Sequence, residues 1–483
     1  MAESSPTTAE LVSAAPRSNS SRVTSSLLLG VAAVSLGYAV QISNGNLDPR
    51  SIAFLTRAVL ATFGALLIPG IAWLERSGER SVLVLLGIGF AFQLTELLTT
   101  PPAMYLWRGS ADRDALFFAG LGVVGVVGGG LFSRAPFLGK LQLPTLLLLH
   151  FLLGIWLIKA SPHPQIDVFL FQRDSIAALL HGENPYAITF PDIYRSSPFF
   201  YGPGLSVGGR LTFGFPYPPL SLFLAMPGQI LAGDFRYSQL AAMTLSGGLM
   251  AYSRPGPVAS AAAAVFLFTP RVFFVLEEAW TEPFGVLLLA LVVFLACRAP
   301  KLVPYALGLF FAVKQYLLIV TPLVLLLLRR PMGRHEDRGF LIKVVATAAG
   351  VTLPLALINL PKFIWNVVTL QIHQPFRPDA LSYPSWWVSH GGQPITWLAF
   401  VAVIPVLVLV LWKAERGPAG FALAVVVVLL VFFVFSKQAF CNYYYFVIGG
   451  LCTALAAAFQ ATPGEKCSSP SKDYERKTPR SSG

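Results

Sequence analysis

Long apolar runs separated by short polar connections set the pattern of this chain. The runs lie near 27–43, 52–74, 81–98, 114–132, 141–159, 217–233, 237–252, 257–270, 283–297, 303–328, 340–360, 395–412, 419–435 and 439–460. A bilayer-crossing helix takes roughly 20 mostly apolar residues. The pattern therefore predicts an all-α polytopic membrane protein. We expect a bundle of about 11–14 transmembrane or re-entrant helices, because several runs are shorter than a full crossing. Residues 1–24 are polar and rich in Ser, Thr, Ala and Pro, which predicts a disordered tail. The first apolar run has no strong basic flank and no small-x-small cleavage site, so it reads as an anchor.

Composition strengthens this picture. Of 483 residues, 55% are hydrophobic and 12% charged, too few charges to clothe several soluble domains. The net charge of +12 would suggest nucleic acid in a soluble protein. In a membrane protein it marks the side on which the cations collect, and no nucleic-acid partner is expected. Arg76 and Arg80, Arg134 and Lys140, the group Arg329, Arg330, Arg334, Arg338 and Lys343, and Lys413 with Arg416 fall in short connections. Taken as cytoplasmic, they put the long segments 160–216 and 361–394 together on the outer face. They also make 461–483 a basic cytoplasmic tail. Residues 25–135 read as N-terminal transmembrane helices. Within 237–302, Arg254, Arg298 and Lys301 cannot all be cytoplasmic if every run crosses once, so half-helices are among the options there. Cys297, Cys441, Cys452 and Cys467 have no metal-type spacing and imply no disulfide framework.

The segment from Ser161 to Gly204 is longer than a connection requires, and loops of that length are usually functional or disordered. Its aromatic content argues against disorder. Asp167 and Asp174 stand seven apart and share a face if helical. Residues 166–181 read as an amphipathic helix on the membrane surface, ended by Gly182 and a turn at Asn184-Pro185-Tyr186. Both aspartates suit a solvated helix face. Either also suits a base at the lipid–water boundary, where partial dehydration preserves basicity. Pro218 and Pro219 favour a helix start.

The order of motifs carries a resemblance. Asp167 is followed by HGENPY (His181–Tyr186), YGPG (Tyr201–Gly204) and FPYPPL (Phe215–Leu220). VLEEAWTEPF (Val275–Phe284), AVKQYLL (Ala312–Leu318), QIHQPFRPDALSY (Gln371–Tyr383) and FSKQAFCNYYYF (Phe435–Phe446) come later. Over about 141–460 the chain resembles the C-type (GT-C) glycosyltransferases that use polyprenol-phosphate sugars, in particular the family-87 mannosyltransferase-like group. The resemblance implies a GT-C-like catalytic core at 136–460 in a prokaryotic plasma membrane. It implies transfer of a hexose, mannose by analogy, from a polyprenyl phosphate to a glycan or glycolipid. Asp167 would be the general base on the extracytoplasmic face. No cofactor beyond the lipid-linked donor is implied.

Several charged and aromatic residues stand as candidate substrate ligands. Asp174, Tyr186 and Tyr217 lie in or beside the first outer segment. Lys314 sits inside an apolar run, where a lysine costs roughly 2.5–3.5 kcal/mol, so a function is the default. It is about 21 Å along a helix from the basic connection that follows, too far to snorkel there. Lys437 repeats the Lys-Gln pair near a span end, where snorkelling explains it nearly as well. Glu278 and Glu282 are four apart and would share a helix face. They either bind sugar hydroxyls beside Trp280 or partner Lys314. His373 and Arg377, also four apart, suit a phosphate-binding wall. His373, Asp379 and His390 match no metal spacing, and no metal is expected. A transporter or lipid-linked-glycan flippase is the alternative. It should place its essential charges in paired broken helices.

Overall fold

The computed structural model describes residues 19–106, 111–133, 138–195, 197, 199–328 and 334–459. The tail expected at 461–483, residues 1–18 of the tail expected at 1–24, and Arg134, Arg329 and Arg330 lie outside them. Residues 19–24 are not a loose tail: they begin the first helix, where Val23 and Thr24 are already buried.

The described chain is mostly helical. Its helices are α1 (Asn19–Ser43), α2 (Pro49–Leu67), α3 (Ala72–Glu75), α4 (Gly78–Thr99), α5 (Ala111–Leu131), α6 (Gln142–Ala160), α7 (Asp167–Leu180), α8 (Pro219–Ala232), α9 (Arg236–Ser253) and α10 (Pro257–Leu267). They continue as α11 (Val272–Glu277), α12 (Glu282–Arg298), α13 (Val303–Val313), α14 (Arg334–Ala356), α15 (Leu360–Ile364), α16 (Leu370–His373), α17 (Tyr383–Ser389), α18 (Leu398–Lys413), α19 (Pro418–Val434) and α20 (Cys441–Ala456). A two-stranded hairpin pairs Ser206–Val207 with Arg210–Leu211. Six helices are long and apolar enough to cross a membrane, and six shorter apolar helical segments accompany them. These are the marks of a multi-pass membrane protein.

Small residues let the helices approach. A Cβ on Gly128 would fall 2.4 Å from the Phe90 ring, and one on Gly130 would fall 1.9 Å from the Gln142 amide. The triple glycine thus packs α5 against α4 and α6, as its place in an apolar run suggests.

The apolar run 303–328 is not one span. α13 ends at Val313, Lys314 is extended (φ −149°, ψ 134°), and a 3₁₀ segment follows over Gln315–Leu326. Contacts fix the directions of the two legs. Lys314 meets Glu282 at the start of α12, and α12 turns into α13 at 299–302, so α13 runs antiparallel to α12. α20 runs parallel to α12, because a Cβ on Gly285 would touch Phe446 and one on Gly449 would touch Val286. α19 precedes α20 through the short connection 435–440 and runs back along it. Tyr316 packs on Phe433 near the end of α19, while Gly417 at its start donates to the Leu326 carbonyl. The 3₁₀ leg therefore returns antiparallel to α13, and Lys314 sits at the turn. Burying a lone ammonium mid-span is costly, whereas a turn beside a carboxylate pairs it.

The region 237–302 resolves in the same way. α10 and α12 carry the chain out and back, so the connections holding Arg254 and Arg298 adjoin: Arg298 Nε donates to the Tyr252 carbonyl at 3.1 Å.

The connections at the Lys314 end form one layer. Leu47 N–H donates to the Asp379 carbonyl at 2.7 Å, and Arg377 N–H to the Lys437 carbonyl at 3.0 Å. Gly45 (φ 79°) would place a Cβ 2.3 Å from the Cys441 nitrogen, so only glycine fits. Gly202 abuts the His373 carbonyl, which brings the two long segments together. Helix α7 belongs to this layer. Its buried aromatic side chains pack against protein, with Phe169 on Phe235 and Phe171 on Phe190 and Phe213. It ends as its sequence suggests, at Gly182 (φ 78°) and an Asn184 side-chain turn onto Tyr186 N–H.

Candidate functional site

Asp167 opens α7 and is partly buried. Its Oδ1 accepts the Val168 N–H at 2.8 Å, and its Oδ2 accepts the Tyr201 hydroxyl at 2.8 Å. A helix N-terminus favours negative charge through its unpaired N–H groups. Burial nonetheless raises the Asp167 carboxyl above its ordinary value. The Tyr201 bond, the Val168 N–H and the charge of Arg377 oppose that rise. Tyr194 stacks on Phe200 with centroids 4.0 Å apart and leans on Tyr201, so aromatic rings wall the carboxylate.

Buried polar side chains hold α7 in place. Arg236, fully buried, pairs with Asp234 at 2.6 Å and donates to the Ser161 carbonyl at 2.8 Å, closing the C-terminal end of α6. Its guanidinium lies over Phe169 of α7. Gln172 and Gln239 both donate to the carbonyl of Ala279, a buried residue in the left-handed region (φ 56°). Such a conformation costs a non-glycine residue energy and persists only where its surroundings fix it.

That kink at Ala279 decides the fate of three acids. Glu277 accepts the N–H groups of Met104 at 2.6 Å and Tyr105 at 2.9 Å, latching the α4–α5 connection onto the layer. Tyr105 reaches on to the Gln165 carbonyl at 3.3 Å, two residues before Asp167. Glu278 is 5% exposed, and its Oε1 has no partner. Burial, then the charges of Glu277 and Asp167, raise its carboxyl well above the ordinary value. Glu282 starts α12 and binds Lys314 at 3.1 Å. Because the helix breaks at Ala279, Glu278 and Glu282 do not share a helical face as their spacing suggests.

Lys314 also donates to the Thr281 hydroxyl and lies 4.0 Å from the centre of the Tyr217 ring. The Tyr217 ring thus lies against the Lys314 end of the Lys314–Glu282 pair. Tyr186 is buried and donates to the Tyr217 carbonyl at 2.9 Å, a supporting contact.

Arg377 binds Asp379 through two hydrogen bonds, 2.8 and 2.6 Å, under the rings of Phe199, Phe200 and Phe440. The helix ends at His373, so His373 and Arg377 do not present a common face. His373 is exposed and packs on Trp365. Asp174 pairs with its neighbour Arg173 at the surface. Lys437 spends its ammonium on the Ile372 and Gln374 carbonyls at 3.0 and 2.7 Å, tying 370–374 to 435–440. The structure thus puts Lys314 in contact with Glu282 and Tyr217, and Asp167 within electrostatic reach of Glu278, Tyr217 and Arg377. It sets Asp174, His373 and Lys437 to other contacts.

Sequence reasoning missed Arg236, Tyr194, Gln172 and Gln239, and marked Tyr201 only as part of the YGPG motif, with no role. The density of rings at Tyr194, Phe199, Phe200 and Tyr201 was a signal. Nothing in the pattern pointed to Gln172 or Gln239. Among the described residues, no three His, Cys, Asp or Glu side chains are grouped to hold a metal ion. Comparison with family models, curated proteins and solved structures returned no match.

Proposed function

We propose that the chain is an integral-membrane glycosyltransferase of the C type. It moves a hexose, mannose by the resemblance, from a polyprenyl phosphate to a hydroxyl of a glycan or glycolipid outside a prokaryotic plasma membrane. Asp167 takes the proton of the acceptor hydroxyl. The acceptor oxygen attacks the anomeric carbon with inversion, and the carbon–oxygen bond to phosphate breaks, its electrons leaving with the polyprenyl phosphate. Arg377 and Lys314 are the cations at hand for the charge developing on that phosphate.

The supporting observation is the setting of Asp167. Its carboxylate is oriented by Tyr201 and Val168, partly exposed, and without an ion-pair partner among the described residues. A base needs that combination of fixed geometry and free proton affinity. Asp167→Asn, tested in membranes supplied with polyprenyl-phosphate sugar and acceptor, should lower transfer by about 10²–10⁴-fold with expression intact. Full activity in that variant removes Asp167 as the base.

A transporter or lipid-linked-glycan flippase is the second reading. The observation favouring it is the Lys314–Glu282 pair, a buried charged couple at the end of apolar helical legs. Uptake into sealed vesicles without any transfer product would select it.

A further inference from the structure

Glu277 and Glu278 are adjacent acids with different engagements. Both oxygens of Glu277 are occupied by backbone N–H groups. Glu278 is buried too, at 5% exposure, yet Oε1 meets no donor. The charges that act on it are those of Glu277 beside it and Asp167 on α7, and it acts in turn on Tyr194 in the connection after α7, Tyr105 between α4 and α5, and Cys441 at the start of α20. None is a cation. Arg271 acts on Glu277 and Cys441, and spends Nη1 on the Pro101 carbonyl 3.1 Å away. An ionised carboxylate buried among acids, phenols and a thiol would be uncompensated, and a group so placed takes up a proton instead. A protonated carboxyl carries one O–H donor and keeps acceptor capacity. Its neighbour Trp280 is only partly buried and packs edge-on against Phe274.

We propose that Glu278 is a neutral carboxylic acid at pH 7 that binds a substrate hydroxyl by donating its O–H. The two acids then divide the work: Asp167 accepts a proton, while Glu278 donates a hydrogen bond and keeps its own. This rests on the glycosyltransferase reading for the identity of the ligand, a sugar hydroxyl, but not for the state of the carboxyl.

Two measurements test it on the full-length protein. Glu278→Gln preserves an N–H donor and should keep KM within about threefold, whereas Glu278→Ala should raise KM about tenfold, the worth of one hydrogen bond. A Gln variant as impaired as the Ala variant would show that the ionised form is needed and overturns the proposal. The second measurement needs no turnover. The infrared spectrum of the wild-type protein at pH 7, minus that of Glu278→Gln, should contain the C=O stretch of a protonated carboxyl. Loss of carboxylate bands in its place overturns the proposal. If the wild-type chain transfers no sugar from any polyprenyl-phosphate donor, the glycosyltransferase reading fails while the spectrum still decides the state of Glu278.

Discussion

Glu282 has an ammonium 3.1 Å away. Asp167 and Glu278, in the same layer, have no ion-pair partner among the described residues. The difference separates two uses of buried charge. The Glu282–Lys314 pair closes a turn between two apolar legs, where each ion cancels the desolvation of the other. Asp167 and Glu278 have no such partner, and burial raises the proton affinity of both.

The sharpest way to break this comparison is to remove the cation. Lys314→Met leaves Glu282 buried and unpaired and should cost about 3–5 kcal/mol in reversible unfolding in detergent. Lys314→Met combined with Glu282→Leu should recover most of that loss. A single variant as stable as wild type would mean the pair holds nothing.

A smaller effect is expected at Tyr201. Tyr201→Phe removes a hydrogen bond to the ionised Asp167, worth about 1.5–3 kcal/mol. The bond favours the carboxylate, so its loss raises the proton affinity of Asp167 further. The acid limb of the transfer profile should move to higher pH, and an unmoved limb argues against Asp167 as the titrating base.

The Glu278 carboxyl gives a subtler signature in stability. Its native proton affinity is raised, so the native state gains stability as the acid form. That gain is complete below the ordinary carboxylate value of about 4.3 and fades as pH rises toward the raised native value. Glu278→Gln should flatten this decline, measured by unfolding across pH. The smallest effect belongs to Asp174, which is paired at the surface: Asp174→Asn should change stability by less than about 0.5 kcal/mol. A larger change would place it in the buried network.

Much of the helical frame is legible without coordinates. The apolar runs locate the helices, Pro219 starts α8, Gly182 ends α7, and the triple glycine in α5 signals close packing. The site is only partly legible. Asp167, Glu278, Glu282, Lys314 and Arg377 stand out because charges are rare in an apolar chain. Their pairing does not. Glu277, Glu278 and Glu282 all stand in the sequence as possible partners of Lys314, and the kink at Ala279 separates Glu282, which binds it, from the other two.

The sequence by itself determined that the chain is helical, apolar and multi-pass, because hydropathy and periodicity act locally along the chain. Only the tertiary structure decided that 303–328 folds back at Lys314, that α7 rests on protein, and which carboxylate is paired. Those outcomes depend on cancelling buried charges and filling space between elements far apart in sequence. No local pattern records that balance.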